Sequence, residues 1–166
     1  MIEAKAILSE DTMMQGVALH YKYKMPLVKW MQAIGLIQLG AYIVTVVKMG
    51  SLLEPISLFL TGLFFFVVPF FIKQSVRKNL QTLSTTGQEM HWQMDESTLS
   101  ATTSDSQFSQ AWSSYYEALL SSDGFLLYTQ KNGFHWIPRA AFSSEEAFQE
   151  IKARIQTAVP KCKVVA

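Results

Sequence analysis

The chain has 166 residues, 49% hydrophobic and 16% charged, with fourteen Lys and Arg against thirteen Asp and Glu. A net charge of +1 lacks the basic excess of a nucleic-acid binder, and a single cysteine, Cys162, excludes an intrachain disulfide. Apolar residues are concentrated in two early stretches; composition alone permits a soluble domain with two buried apolar helices, and this segregation argues against it.

At the N-terminus Ile2, Ala4, Ala6 and Leu8 alternate with Glu3, Lys5 and Ile7, and this predicts a strand. A polar connection over 9–24, partly helical, follows, with Met25-Pro26 interrupting the join to the next element. Residues 1–24 hold Glu3, Lys5, Glu10 and Asp11 and no long apolar core, so no signal peptide is predicted and the first span is read as an uncleaved anchor.

Residues 30–47 and 55–72 each run eighteen positions without an ionisable side chain. As helices each would extend about 27 Å, close to the hydrocarbon thickness of a bilayer. Lys29 and Lys48 bracket the first and Glu54 and Lys73 the second, which places charge where water begins. These stretches predict a transmembrane helical hairpin over 25–80, between an N-terminal segment 1–24 and a domain 81–166. Lys22, Lys24 and Lys29 precede the spans and Lys73, Arg77 and Lys78 follow them, whereas the loop holds one Lys and one Glu. The positive-inside bias then predicts both termini in the cytoplasm and the short loop outside, with Trp30 at the inner interface.

Met31, Gly35, Gln38, Tyr42 and Thr45 fall on one stripe of the first span, and Ser57 and Thr61 lie one turn apart on the second. Small and polar groups let helices approach and exchange hydrogen bonds in lipid, so a packing seam is expected, within the hairpin or between two copies in a homodimer. A polar path for an ion or substrate is the weaker reading, because neither span holds an ionisable residue. Pro69 is expected to kink the second span near its inner end.

Beyond residue 88 turn signals recur every eight to twelve positions and the segments between them favour β-formers. Strands are predicted near 89–94, 97–102, 106–112, 115–121, 124–130 and 133–138. Asn132-Gly133 marks the clearest hairpin turn, and the 124–130 strand, apolar on both faces, reads as central. Ser143 and Glu146 form a capping box ahead of a helix, with Phe142 stapled onto Ala147 and an apolar face of Phe148, Ile151 and Ile155. Seven strands closed by an amphipathic helix is the element order of a pleckstrin-homology-like (PH-like) barrel or sandwich. The fold class is therefore an α+β membrane protein with its hairpin inserted after the first strand.

From Phe108 to Ile155 the chain resembles the YcxB-like family of small bacterial membrane proteins. The matching features are Trp112 opening a strand, the strand 115–120, "GFLLYTQKNGFHWIPRAAF" over 124–142, and "SSEEAFQEIKARI" after it. Its Ile-Pro-(Lys/Arg)-X-X-Phe signature is carried by Ile137, Pro138, Arg139 and Phe142, followed by Glu145 and Glu146. The resemblance implies a membrane-bound PH-like domain and supplies no reaction.

The search for chemistry finds little. His20, His91 and His135 share no metal-ligand spacing with one another or with Cys162, and His91 and His135, beside Trp92 and Trp136, read as half-buried structural residues. No GxSxG, Walker or HExxH motif is present, and Asp95-Glu96 lies in a turn. Cys162 stands fifth from the end, one place out of register for prenylation. No catalytic residue, metal or cofactor is expected.

Trp92, Trp112, Tyr115, Tyr116, Phe125, Tyr128, Phe134 and Trp136 are mostly core, with Tyr116 and Trp136 as candidates to face outward and anchor a partner. Residues 79–166 carry six basic and nine acidic side chains, which argues against nucleic acid and against polybasic lipid recognition. The leading reading is a non-enzymatic inner-membrane protein whose cytoplasmic domain docks a protein partner near the bilayer. An alternative is an immunity protein that neutralises a membrane-directed bacterial toxin. A small oligomeric channel or a membrane enzyme ranks third.

Overall fold

The alternating N-terminal residues form β1 (Ile2–Ile7), whose partner lies beyond an 81-residue excursion at β2 (Glu89–Met94), with Ala4 opposite Trp92. The computed structural model describes residues 1–82, 86–131 and 133–165, with only the main chain of Lys29. It divides the chain into two units. Met1–Val17 with Leu80–Ala166 forms one, and Ala18–Asn79 forms the other.

In the first unit β1 and β2 continue into β3 (Thr98–Thr102) and β4 (Gln107–Ala111) as an antiparallel sheet in chain order. A second sheet has the order β7-β6-β5-β8, from β5 (Glu117–Leu120), β6 (Gly124–Gln130), β7 (Gly133–Pro138) and β8 (Cys162–Val164). The strands do not close into a barrel. Each sheet ends on edge strands, and β8, too short to be read from its residues, joins β5 in parallel. One core lies between the sheets, with Trp92, Leu99, Leu120, Phe125 and Ile137 buried in it.

Helix α4 (Glu145–Ala158) covers that core with Phe148, Ile151 and Ile155, all 2% exposed or less. Its cap lies one residue later than expected. Ser144, in extended geometry, accepts from the Ala147 N–H at 3.2 Å, so Ser143 is outside the helix. The staple moves with it, and Phe142 meets Phe148 edge-on rather than Ala147. Arg154 on the same helix reaches the Met94 carbonyl at 3.3 Å and pairs with Glu150 one turn away.

β6 is central and covered on both faces: Gly124 to Tyr128 are all buried. Phe125 and Leu127 enter the shared core, while Leu126 and Tyr128 alternate onto the other face beside Leu119 and Trp136. Helix α1 (Glu10–Lys24) reaches that second face at Gly16, where a Cβ would come within 2.8 Å of Trp136 Cγ. Ser9 caps α1 through Thr12 N–H, and Glu10 and Asp11 in its first turn oppose Lys22 and Lys24 in its last, matching the helix dipole.

Trp112 does not open a strand. It begins a one-turn 3-10 helix, Trp112–Ser114, where its buried indole N–H donates to the Asp95 carbonyl at 3.0 Å. The turn expected at Asn132-Gly133 involves Asn132, outside the described residues, and Gly133 already belongs to β7 opposite Gln130.

The second unit is dominated by α2 (Pro26–Met49) and the membrane-like part of α3 (Ile56–Gln81). Met25 breaks the chain before Pro26 at the first helical position, as the dipeptide implies. Gly50 ends α2 in the left-handed region at φ 67°, donating its N–H to the Val46 carbonyl at 2.8 Å. α3 continues through Pro69 as one helix and extends nine residues past the stretch read as a span. Both helices are long and apolar enough to cross a membrane, and only 6% of each apolar window is buried.

Candidate interaction site

Where β7 meets α4, four residues of the sequence signature come together. Ile137 is fully buried in the core, and Pro138 ends β7 at the point where its ring leaves no N–H for a ladder. Arg139 opens a second one-turn 3-10 helix, Arg139–Ala141; its main-chain N–H donates to the Asp123 carbonyl at 2.8 Å. Its guanidinium pairs with Glu145 on the first turn of α4 and lies 5.6 Å from the Phe148 ring centroid. Phe142 then closes an aromatic triad: Phe125 stacks on Phe148 at 4.5 Å, and Phe142 meets both edge-on. This set joins sheet to helix.

Carboxylates at the start of α4 are held in their charged form. A hydrogen bond from Gln149 and then the Arg139 guanidinium keep Glu145 below the usual carboxylate range. Its own main-chain N–H, then the Ser144 hydroxyl, do the same for Glu146. Beside them runs a groove of about 700 Å3 lined by Thr12, Gln15, Asp123, Arg139, Ser143 and Glu145, among others. It offers two carboxylates, Asp123 and Glu145, against one already paired guanidinium. Among the described residues no three His, Cys, Asp or Glu side chains are grouped to hold a metal.

Residues 95–153 match the family model described as YcxB-like protein. This stretch is YcxB-like. Comparison with curated proteins and with solved structures gives no match. The YcxB-like stretch covers a little over a third of the chain, running from the turn before β3 to near the end of α4, and it contains every signature residue. Both apolar helices lie outside it.

The two aromatic partner candidates separate. Tyr116, within the YcxB-like stretch, is 37% exposed, its ring 6.1 Å from Tyr128. Trp136 is 8% exposed and lies against Gly16, so it is not an outward anchor. Alternation placed Trp136 on the correct face, but that face is covered. Its indole N–H has no partner among the described residues, nor has the hydroxyl of Tyr115, which is fully buried. Burial pushes the Tyr115 phenol well above its ordinary value.

The histidines divide likewise. His135 is half-buried, stacked on Phe108 at 4.5 Å and edge-on to Tyr115, and burial lowers its pKa. His91 is exposed, 3.2 Å from Glu89, because its strand turns it to the outer face of the first sheet.

In the hairpin Gly35 is a true crossing point: a Cβ there would lie 2.7 Å from the Gly62 carbonyl oxygen and from Phe66 N. Tyr42 also faces α3, its ring 5.3 Å from Phe59 and its hydroxyl 3.4 Å from the Leu52 carbonyl. Gln38 and Thr45 are half-buried; Thr45 bonds the Ala41 carbonyl of its own helix, and Gln38 Oε1 is buried without a partner among the described residues. Ser57 and Thr61 are not in the seam. Both are exposed, and the Thr61 hydroxyl satisfies itself on the Ser57 carbonyl at 2.7 Å. Gly62, which the polar stripe did not point to, is the residue that faces Gly35. Of the basic residues flanking the helices, Lys73, Arg77 and Lys78 are exposed on α3, Lys22 lies over the Tyr23 ring, and Lys24 is half-buried. Trp30 is 60% exposed near the start of α2, and the Lys29 side chain is outside the described residues.

Proposed function

We propose that this chain is a two-span inner-membrane protein that presents its β unit as a non-enzymatic, protein-binding domain on the cytoplasmic side. The observation that carries the reading is the outward-turned apolar surface of α2 and α3. Leu36, Ile37, Val47, Phe64, Phe70 and Phe71 are each more than half exposed, a surface that lipid covers at no desolvation cost and water does not. Orientation follows from charge. Lys22, Lys24, Lys29, Lys73, Arg77 and Lys78 flank the outer ends of the helix pair, against Lys48 and Glu54 at the connecting loop.

The β unit is read as PH-like: four antiparallel strands, then three, then a helix across the core, with the hairpin inserted after β1 and β8 added at the end. Tyr116 is the aromatic contact on offer.

Two measurements on the full chain in native membranes test this. With Cys162→Ser as background, Ser51→Cys should react with an impermeant thiol reagent in intact cells, and Ser104→Cys only after lysis. The reverse pattern, or recovery of the protein from the soluble fraction, overturns the topology. Capture in mild detergent should yield a stoichiometric protein whose recovery falls with Tyr116→Ala; recovery of lipid alone overturns the docking role.

A further inference from the structure

The two sheets expose four edge strands, and three of them carry the features that stop a strand from pairing with another chain. β1 alternates Glu3 and Lys5 on its outward main-chain positions, and the 3-10 turn Arg139–Ala141 lies against it. β7 has a register irregularity at one end and Pro138 at the other. β8 is three residues long, with Lys161 and Lys163 in or beside it. β4, Gln-Phe-Ser-Gln-Ala, has no charge, no proline, no bulge and no positive φ.

The free side of β4 can be assigned from its ladder to β3. Trp112 N–H donates to the Ser97 carbonyl and Thr103 N–H to the Ser106 carbonyl, so the even-numbered residues of β4 bond β3. The main-chain N–H and C=O groups of Gln107, Ser109 and Ala111 therefore point away from the sheet. All three residues are exposed.

We infer that β4 is a self-association edge, on which a second copy of this chain adds its own β4 in antiparallel register about a two-fold axis at Ser109. The occupant follows from the register. Gln107 then faces the partner's Ala111, Phe108 the partner's Gln110, and Asp105 the partner's Ser113, so no like charges oppose one another. Roughly six main-chain hydrogen bonds would join the two sheets into one of eight strands. The pairing belongs to the β unit and stands whether or not the hairpin is in lipid.

The test uses the full chain in mild detergent, again with Cys162→Ser. Ser109→Cys should give a disulfide-linked dimer as the main oxidised product, whereas Ser100→Cys, one strand further in, would sit roughly 14 Å from its copy, three strand spacings, and should stay unlinked. Ser109→Lys, with like charges on the axis, should weaken the dimer about tenfold or more relative to Ser109→Ala, which gives up the same 2.8 Å hydrogen bond from the Ser100 hydroxyl without adding charge. Ser109→Pro removes an outward N–H and no main-chain bond to β3, and should likewise weaken the dimer beyond Ser109→Ala. A monomeric wild-type chain at micromolar concentration, linkage through Ser100→Cys in place of Ser109→Cys, or a dimer indifferent to Ser109→Lys and Ser109→Pro, each overturns the inference.

Discussion

The β unit and the helical hairpin are built from the same apolar residue types and use them in opposite ways. In the β unit Leu99, Leu120, Phe125, Ile137 and Ile151 have no exposed surface, and polar residues such as His91, Gln93, Glu145 and Gln149 look outward. In the hairpin Leu36, Ile43, Phe64 and Phe70 look outward, and the glycines Gly35 and Gly62 face each other where a Cβ on either would crowd the other's carbonyl oxygen. The first arrangement is what water enforces by the hydrophobic effect. The second is what a solvent as apolar as leucine permits, where helices associate by close backbone approach. The two units thus expose opposite kinds of surface, polar on the first and apolar on the second.

The sharpest way to break that comparison is to truncate a phenylalanine in each region. Phe125→Ala removes the ring that stacks on Phe148 and should destabilise the β unit by about 3–5 kcal/mol. Phe64→Ala, at a position 60% exposed, should leave the thermal melt of the β unit in place. Denaturation followed by tryptophan fluorescence reports both, because Trp92 and Trp112 are in the core. Equal losses would mean that Phe64 is buried in the working protein and that the hairpin has no lipid-facing surface.

The next effect belongs to the hairpin alone. Gly35→Leu places its first side-chain carbon where the Gly62 carbonyl and Phe66 N already stand. Overpacking of this kind costs about 1–3 kcal/mol and should separate the helices. Spin labels on α2 and α3 in lipid should report a longer distance, with the β-unit melt unchanged. Gly40→Leu, with open space around its Cβ position, is the matched control.

How much of this was legible differs between the regions for physical reasons. The two long apolar helices could be read from their missing charges, but the stripe of polar residues misplaced part of the seam between them. Ser57 and Thr61 bond their own helix and so need no neighbour, whereas Gly62 offers no polarity to notice. In the β unit β2, β6 and β7 match their expected bounds to the residue, since turn residues bracket them. β8 was missed because its three residues depend on β5, more than forty positions away. Trp136 shows the limit of alternation, which tells which face a side chain takes and says nothing about what covers that face.

The start of α4 offers a smaller and cleaner contrast, between adjacent serines. Ser144→Ala loses the hydroxyl that accepts from Ala147 N–H and should cost about 1 kcal/mol. Ser143→Ala should cost nothing measurable, since Ser143 is outside the helix. Equal effects would return the cap to the capping box that the sequence suggests.

The last effect is one of pH, and it arises from His135, held between Phe108 and Tyr115 where burial disfavours the imidazolium. Its folded pKa is lowered from 6.5, so just below that value the unfolded chain binds more protons than the folded one. Stability is therefore highest above pH 6.5 and declines as the pH falls toward the folded pKa, after which this contribution levels off. Glu145 and Glu146, whose folded pKa values lie below 4.5, act in a separate window further down, where protonation removes their favourable contacts. Melting temperatures taken between pH 7.5 and 5.5 should fall for the wild type and fall less steeply for His135→Phe, the remaining slope coming from His20, which is buried on α1 with its pKa lowered in the same direction. A slope unchanged in His135→Phe and lost in His20→Phe would move the proton-sensitive contact from between the two sheets to α1.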